Sequence, residues 1–175
     1  PERKSRLQLY INRVFITDEL KDLIPEWLRF VRGIIDTASL DLNVSREMLQ
    51  HNATLLKIRK AVTKRVLSEL AKKVKKDPQA YEAFWTNFGR VLKEGIYEDA
   101  DNRDRILKIC RFYSLQLDKM ISLEDYIEAM PQTQNDIYYL ASNSVKAAKR
   151  SPHIEGFAEK DLSLIHISEP TRQIV

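Results

Sequence analysis

The chain has 175 residues, of which 43% are hydrophobic and 31% charged, and a net charge of +4. This is ordinary globular composition, and it excludes a disordered, collagen-like or disulfide-scaffolded chain. Four glycines and six prolines leave too little turn chemistry for a β-sandwich or barrel, which needs a turn every ~8–12 residues, so a helix-rich α/β chain is expected.

Residues 6–16 alternate as a strand, with Leu7, Leu9, Ile11 and Phe15 on one face and Tyr10, Val14 and Ile16 on the other. Asp18 is suited to cap a short helix through Ile24, Pro25 to open another, and Phe30–Ile35 reads as a second strand. Two strands do not make a self-sufficient sheet, so further strands are expected upstream of Pro1. Leu55, Ile58, Val62, Val66, Leu70 and Val74, spaced three or four apart, predict one helix of about six turns. Asp77-Pro78 then supplies an N-cap and a first-turn proline. Behind it Tyr81, Phe84, Trp85, Phe88 and Val91 form an aromatic stripe that reads as core packing rather than a cofactor cage.

A third helix is expected over about Asn102 to Phe112, completing a three-helix connector. Ser122-Leu123-Glu124-Asp125 resembles a capping box opening a helix that Pro131 stops. Ile137 to Ala141 follows as a strand, then helices at Ser144 to Arg150 and Pro152 to Lys160. A second, smaller α/β layer therefore starts near residue 120 and is expected to stop before its sheet is complete.

From Leu162 to Arg172 the chain reads LSLIHISEPTR, which resembles the conceptual translation of the adapter that transposase-based libraries leave on DNA ends. Residues 162–175 are accordingly set aside from the fold, as a fusion scar would be. The competing account is a genuine strand over Ser163 to Ile167. The opening Pro1-Glu2-Arg3-Lys4-Ser5 is neither an initiator methionine nor a signal peptide, and no apolar run approaches the ~20 residues that span a bilayer. A soluble fragment is the expectation.

Chemistry-bearing motifs are sparse. Glycines occur only at 33, 89, 95 and 156, so no glycine-rich phosphate loop is possible. His51, His153 and Cys110 do not have zinc-ligand spacing, and no metal site is expected. Cys110 lies in the apolar run Ile106 to Phe112 and reads as a buried structural thiol. Between Lys57 and Lys76, nine basic residues (Lys57, Arg59, Lys60, Lys64, Arg65, Lys72, Lys73, Lys75, Lys76) face one acid, Glu69, for +8 on one helix. A basic helical nucleic-acid-binding or scaffold module without enzymatic activity is therefore an alternative. Against it, the cations interleave with an apolar stripe and no aromatic stacking platform accompanies them, so a solvated helix face accounts for them.

In Leu42-Asn43-Val44-Ser45-Arg46-Glu47-Met48-Leu49-Gln50 the pattern is more specific. If Ser45 caps a helix, Arg46 and Gln50 lie four apart on one face. A guanidinium and an amide projecting from a loop–helix junction suit phosphate charge stabilisation and orientation of a water or phosphate oxygen. An ordinary exposed arginine is the competing account from spacing alone.

LNVSREMLQ, together with Leu9-Tyr10-Ile11-Asn12-Arg13-Val14-Phe15-Ile16, Ile24-Pro25-Glu26-Trp27-Leu28-Arg29-Phe30-Val31-Arg32-Gly33 and Tyr97-Glu98-Asp99, resembles the middle domain of the 90-kDa heat-shock chaperone family. Lys57-Ile58-Arg59-Lys60-Ala61-Val62-Thr63-Lys64-Arg65-Val66 and Val91-Leu92-Lys93-Glu94-Gly95 are most similar to its bacterial branch, HtpG. The resemblance runs from about residue 6 to about residue 160.

The resemblance implies a middle-domain fragment of an ATP-dependent, cytoplasmic stress-response chaperone. In it, residues 1–52 would end the larger α/β unit and carry the catalytic loop, 53–117 form the helical connector, 118–161 begin the smaller α/β unit, and 162–175 be the adapter-like tail. Arg46 would contact the ATP γ-phosphate when an N-terminal ATPase domain docks, with Gln50 in the same network. Asn43 would shape the loop, and Phe15 support the docking surface. ATP with Mg would be bound mainly by that N-terminal domain, outside this chain, so the fragment alone should be inactive. The other implied partners are unfolded client proteins and, in the full-length protein, a second copy forming a homodimer; no membrane partner is implied.

Overall fold

The structure is a computed structural model and describes residues 6–18, 20, 23–43, 48–49, 52–160 and 162–167. The architecture is mixed α/β and helix-rich, as expected. Two compact units divide it, Pro1–Glu82 and Ala83–Val175.

The first unit is built on β1 (Arg6–Ile11), β2 (Val14–Thr17) and β3 (Arg32–Thr37), in the order β2-β1-β3. The single strand expected over 6–16 is a hairpin instead. β1 and β2 pair antiparallel, with Tyr10 opposite Phe15 and Ile11 opposite Val14. The alternation holds only to Ile11: Leu7, Leu9 and Ile11 are buried, whereas Phe15 is 50% exposed. The reason is the turn, because Asn12 and Arg13 both have positive φ (49° and 67°) and reverse the chain. β3 runs parallel to β1 over six residue pairs, from Arg6–Arg32 to Ile11–Thr37. Three strands thus form the described sheet, where two were expected from these residues.

Between β2 and β3, Pro25 precedes a 3-10 turn, Glu26–Leu28, that buries Trp27 and Leu28. The helix expected after Asp18 is not present at Leu23 and Ile24, which lie in buried bends; residues 19, 21 and 22 are outside the described residues.

α1 (Ala53–Lys76) is the long predicted helix. Asn52 caps it, its side chain accepting from the backbone N–H groups of Thr54 (2.8 Å) and Leu55 (3.4 Å). It buries Leu55, Thr63, Leu67 and Leu70, a stripe rotated slightly from the one read in the sequence. α2 (Pro78–Glu98) follows, with Asp77 Oδ1 accepting from Ala80 N at 3.0 Å.

In the second unit, Trp85 and Leu92 of α2 are buried but Phe88 is 38% exposed, so the aromatic stripe is only partly core. Gly89 is required where it stands: a Cβ there would lie 2.6 Å from Trp85 ring atoms, so the indole covers the glycine backbone. α3 (Arg103–Ile109) is shorter than expected. Phe112 belongs instead to β4 (Phe112–Ser114), which forms a hairpin with β5 (Lys119–Ile121). The capping box is present: Ser122 N donates to Asp125 Oδ2 (2.9 Å) and Asp125 N donates to Ser122 Oγ (3.0 Å), opening α4 (Leu123–Glu128). β6 (Tyr138–Ala141), α5 (Val145–Ala148) and α6 (His153–Glu159) follow near the expected positions.

The described sheet of this unit includes a strand from the segment set aside in the sequence. Leu164–Ile167 forms β7, between β4 and β6 in the order β5-β4-β7-β6. It pairs parallel with β6 and antiparallel with β4. Residues 162–167 therefore belong to the fold despite their adapter-like sequence; an apolar run containing Leu164, Ile165 and Ile167 meets the requirement of a central strand whatever its origin. Tyr126 ties the segment in, its hydroxyl donating to Ser163 O at 2.7 Å.

Among the described residues no helix is long and apolar enough to cross a membrane, and no cluster of three or more His, Cys, Asp or Glu side chains could hold a metal ion.

Candidate functional site: the loop at the carboxyl edge of the first sheet

β1 and β3 are parallel neighbours, so both end at the same edge of the sheet. The β1–β2 turn and the segment leaving β3 meet there. Consecutive non-glycine residues at positive φ cost roughly 1–3 kcal/mol each, and hydrogen bonds between the turn and β3 offset that cost. Asn12 N donates to Thr37 O at 3.2 Å, and Arg13 N donates to Asp36 Oδ1 at 3.2 Å. Thr37 Oγ1 accepts from Ser39 N at 3.1 Å, bending the chain as it leaves the strand. Asn12, Arg13, Asp36, Thr37 and Ala38 line an open depression of about 350 Å³ at this edge.

Leu40 and Leu49 are buried, whereas Leu42 is 51% and Met48 63% exposed. Asn43 is exposed, in a turn with Leu42. Arg46 and Gln50, nominated from the sequence, lie outside the described residues, as do Ser45 and His51.

Phe15 sits on β2, and its ring meets Tyr10 edge-on with centroids 5.6 Å apart. In the register, Phe15 pairs with Tyr10 and Tyr10 with Asp36, so the three form one cross-strand row on the sheet face opposite Leu9 and Ile11. Ile34, 64% exposed, lies on that same face, and Val14 is half exposed at the turn. The structure thus brings Phe15 to the sheet edge from which the segment bearing Asn43 departs. Asp36 and Thr37 were missed from the sequence; their role comes from pairing with residues 23 or more positions away, for which no local pattern exists.

The basic residues of α1 behave as a solvated face. Arg65 and Lys72 pair with Glu69 at 3.1 and 2.9 Å, and these contacts hold the Glu69 carboxyl below its usual range. Lys57, Lys60, Lys64, Lys73, Lys75 and Lys76 are exposed, and Lys73, Lys75 and Lys76 occupy the last turn, where they complement the helix dipole.

Cys110 is fully buried behind α3, and burial pushes its thiol up to about 12, against smaller opposing effects of Lys93 and Arg111. That is the environment of an inert structural thiol. Burial conversely pushes Lys93 down; its ammonium lies 5.6 Å from the Trp85 ring and 5.5 Å from that of Phe112.

The Hsp90 protein family model matches residues 1–175. Chaperone protein HtpG of Roseobacter denitrificans is 54% identical over 168 residues, and that of Gluconobacter oxydans 49% identical over 168. Both alignments cover 96% of this chain and 27% of the relative, so the chain spans about a quarter of the length of the curated relatives it matches. Among solved structures, the middle domain of a Plasmodium falciparum heat shock protein superposes with a TM-score of 0.80 at 30% identity, covering 97% of this chain and 64% of that one. Sequence and fold agree over nearly the whole length, and on both grounds the chain belongs to the Hsp90 family, on its bacterial HtpG side, with the structure of its middle domain.

Proposed function

We propose that this chain is the part of an ATP-dependent chaperone that completes, across a domain boundary, an ATPase site borne by an N-terminal domain. Arg46 supplies its guanidinium to the γ-phosphate of ATP, and Gln50 joins the same network. Asn43 shapes the loop that carries them, and Phe15 supports the surface on which the N-terminal domain docks. ATP and Mg are held mainly by that domain, because the 175-residue sequence has no glycine-rich phosphate loop. The remaining roles are binding of unfolded client proteins, action as a homodimer, and a cytoplasmic location.

One observation carries this reading. The segment spanning Asn43 leaves the carboxyl edge of parallel strands, where open α/β sheets present their ligand-binding loops, and it does so beside exposed Phe15, Leu42 and Met48. A charged group on such a loop can complete a phosphate site on an apolar-rimmed partner. Arginines supplied this way contribute ~10³–10⁵ in rate in GTPases; where domain closure limits turnover, the gain comes through closure as well as chemistry.

The test is steady-state ATP turnover by the full-length chaperone containing this segment. Arg46→Ala should lower kcat at least about tenfold, below the full range of arginine fingers because closure shares the barrier, while the melting temperature stays that of wild type. Undiminished turnover would remove Arg46 from the role.

A further inference from the structure

In the second unit, β5 (Lys119–Ile121) is an outer strand of the order β5-β4-β7-β6 and pairs on one side only, with β4. Successive residues of such a strand turn their N–H and C=O groups alternately toward the partner and away from it, so the outer edge offers donors and acceptors to another backbone. Ser122 then caps α4, and between the strand and that helix lies an open depression of about 390 Å³. Leu117, Met120, Ile121 and Ala129 give it apolar walls, and Lys119, Asp125 and Glu128 give it charge. Lys119, Met120 and Ile121 are consecutive, and consecutive side chains of a strand point to opposite faces. A depression reached by all three runs along the edge of β5 rather than under one face of the sheet.

The charge beside this edge is opposite in sign to that of the chain. The whole sequence carries +4, whereas α4, LEDYIE, has three acids and no base. Glu124, Asp125 and Glu128 are all exposed, and Leu117 is 46% exposed at the other side. We propose that this groove binds extended segments of unfolded clients by adding a strand to the outer edge of β5, with preference for segments that alternate apolar and basic residues. The inference rests on the client-binding role assigned above and gives that role a surface. Main-chain hydrogen bonds are blind to sequence, which suits clients of many sequences, and the side-chain pockets supply the preference. Met120, unbranched and polarizable, adapts to apolar side chains of different shape. Glu128 and its acidic neighbours on α4 attract the lysine or arginine that alternates with them.

The test uses the full-length chaperone and two fluorescent peptides, one alternating valine and lysine and one alternating valine and glutamate. Wild type should bind the lysine peptide more tightly in fluorescence anisotropy. Glu128→Lys should weaken that binding about three- to tenfold and strengthen binding of the glutamate peptide by a similar factor. Glu128 is exposed and ends α4, where a cation suits the helix dipole, so the variant should keep the wild-type melting temperature. Hydrogen exchange on the wild type needs no variant: the lysine peptide should slow exchange in the stretch 117–121, as a newly paired edge requires. Binding of the lysine peptide with no slowing there, or affinities for both peptides that Glu128→Lys leaves unchanged, would overturn the groove. A wild-type chaperone that binds reduced, carboxymethylated α-lactalbumin, an unfolded protein, but neither peptide would overturn the groove while leaving client binding in place. One that binds none of the three would overturn the client-binding role and the groove with it.

Discussion

Replacing Gly89 by alanine sets two physical effects against each other with opposite signs. In a helix interior alanine is favoured over glycine by about 1 kcal/mol, and α2 is a 21-residue helix in which position 89 is well inside. The added Cβ, however, would lie 2.6 Å from two ring carbons of Trp85 and 3.0 Å from a third. The obstacle is a rigid indole, only 6% exposed, which has to leave its place. Overpacking of that kind costs ~1–3 kcal/mol. Moving the ring also disturbs the contact with Lys93, whose ammonium lies 5.6 Å from its centroid, worth ~0.5–1 kcal/mol at a partly exposed site. The balance is a net destabilisation of about 1–2 kcal/mol, equivalent to roughly 2–4 °C in melting temperature per kcal/mol for a chain of this size. Urea unfolding followed by far-ultraviolet circular dichroism reads the stability. Tryptophan emission in a Trp27→Phe background reads the ring, and Gly89→Ala should shift it. An alanine variant more stable than wild type by about 1 kcal/mol, with unchanged emission, would show that the indole does not rest on Gly89.

Two further perturbations probe the second unit. The Tyr126 hydroxyl donates to Ser163 O and accepts from Gln134 Nε2 (2.8 Å) and Tyr138 N (3.1 Å); Tyr126→Phe should cost ~1–3 kcal/mol in urea unfolding and speed hydrogen exchange at the Tyr138 amide, and a loss under about 0.5 kcal/mol with unchanged exchange would contradict the network. Ser122→Ala should cost about 1 kcal/mol at neutral pH through the lost cap. Its hydrogen bonds hold the Asp125 carboxyl below the usual 3.8. A carboxyl depressed in the fold adds stability above its unfolded pKa and loses it as pH falls through the lower folded value. The gap between wild type and Ser122→Ala should therefore narrow as pH falls below about 4, and a gap that widens in acid would refute the coupling.

Local signals were legible in the sequence wherever a short stretch carries its own physics. The period of Leu55 to Leu70 predicts α1, Asp77-Pro78 marks the start of α2, and Ser122 and Asp125 satisfy each other within one turn. The Hsp90 resemblance was legible for the same reason: LNVSREMLQ and its companions are contiguous strings. The tertiary structure decided what depends on distant partners. Asn12-Arg13 is not a usual turn dipeptide, and it reverses the chain because Asp36 and Thr37 receive its N–H groups. β4 and β5 are three residues each, too short to display a period, and exist through pairing. β7 could not be placed by its own pattern, because an apolar run becomes a central strand only where β4 and β6 leave a gap for it. Gly89 reads as a helix-weakening residue until the indole above it is known. Short-range hydrogen bonding and periodicity are written into neighbouring residues, whereas register, strand neighbours and the lodging of one side chain over another's backbone are fixed only when the chain closes on itself.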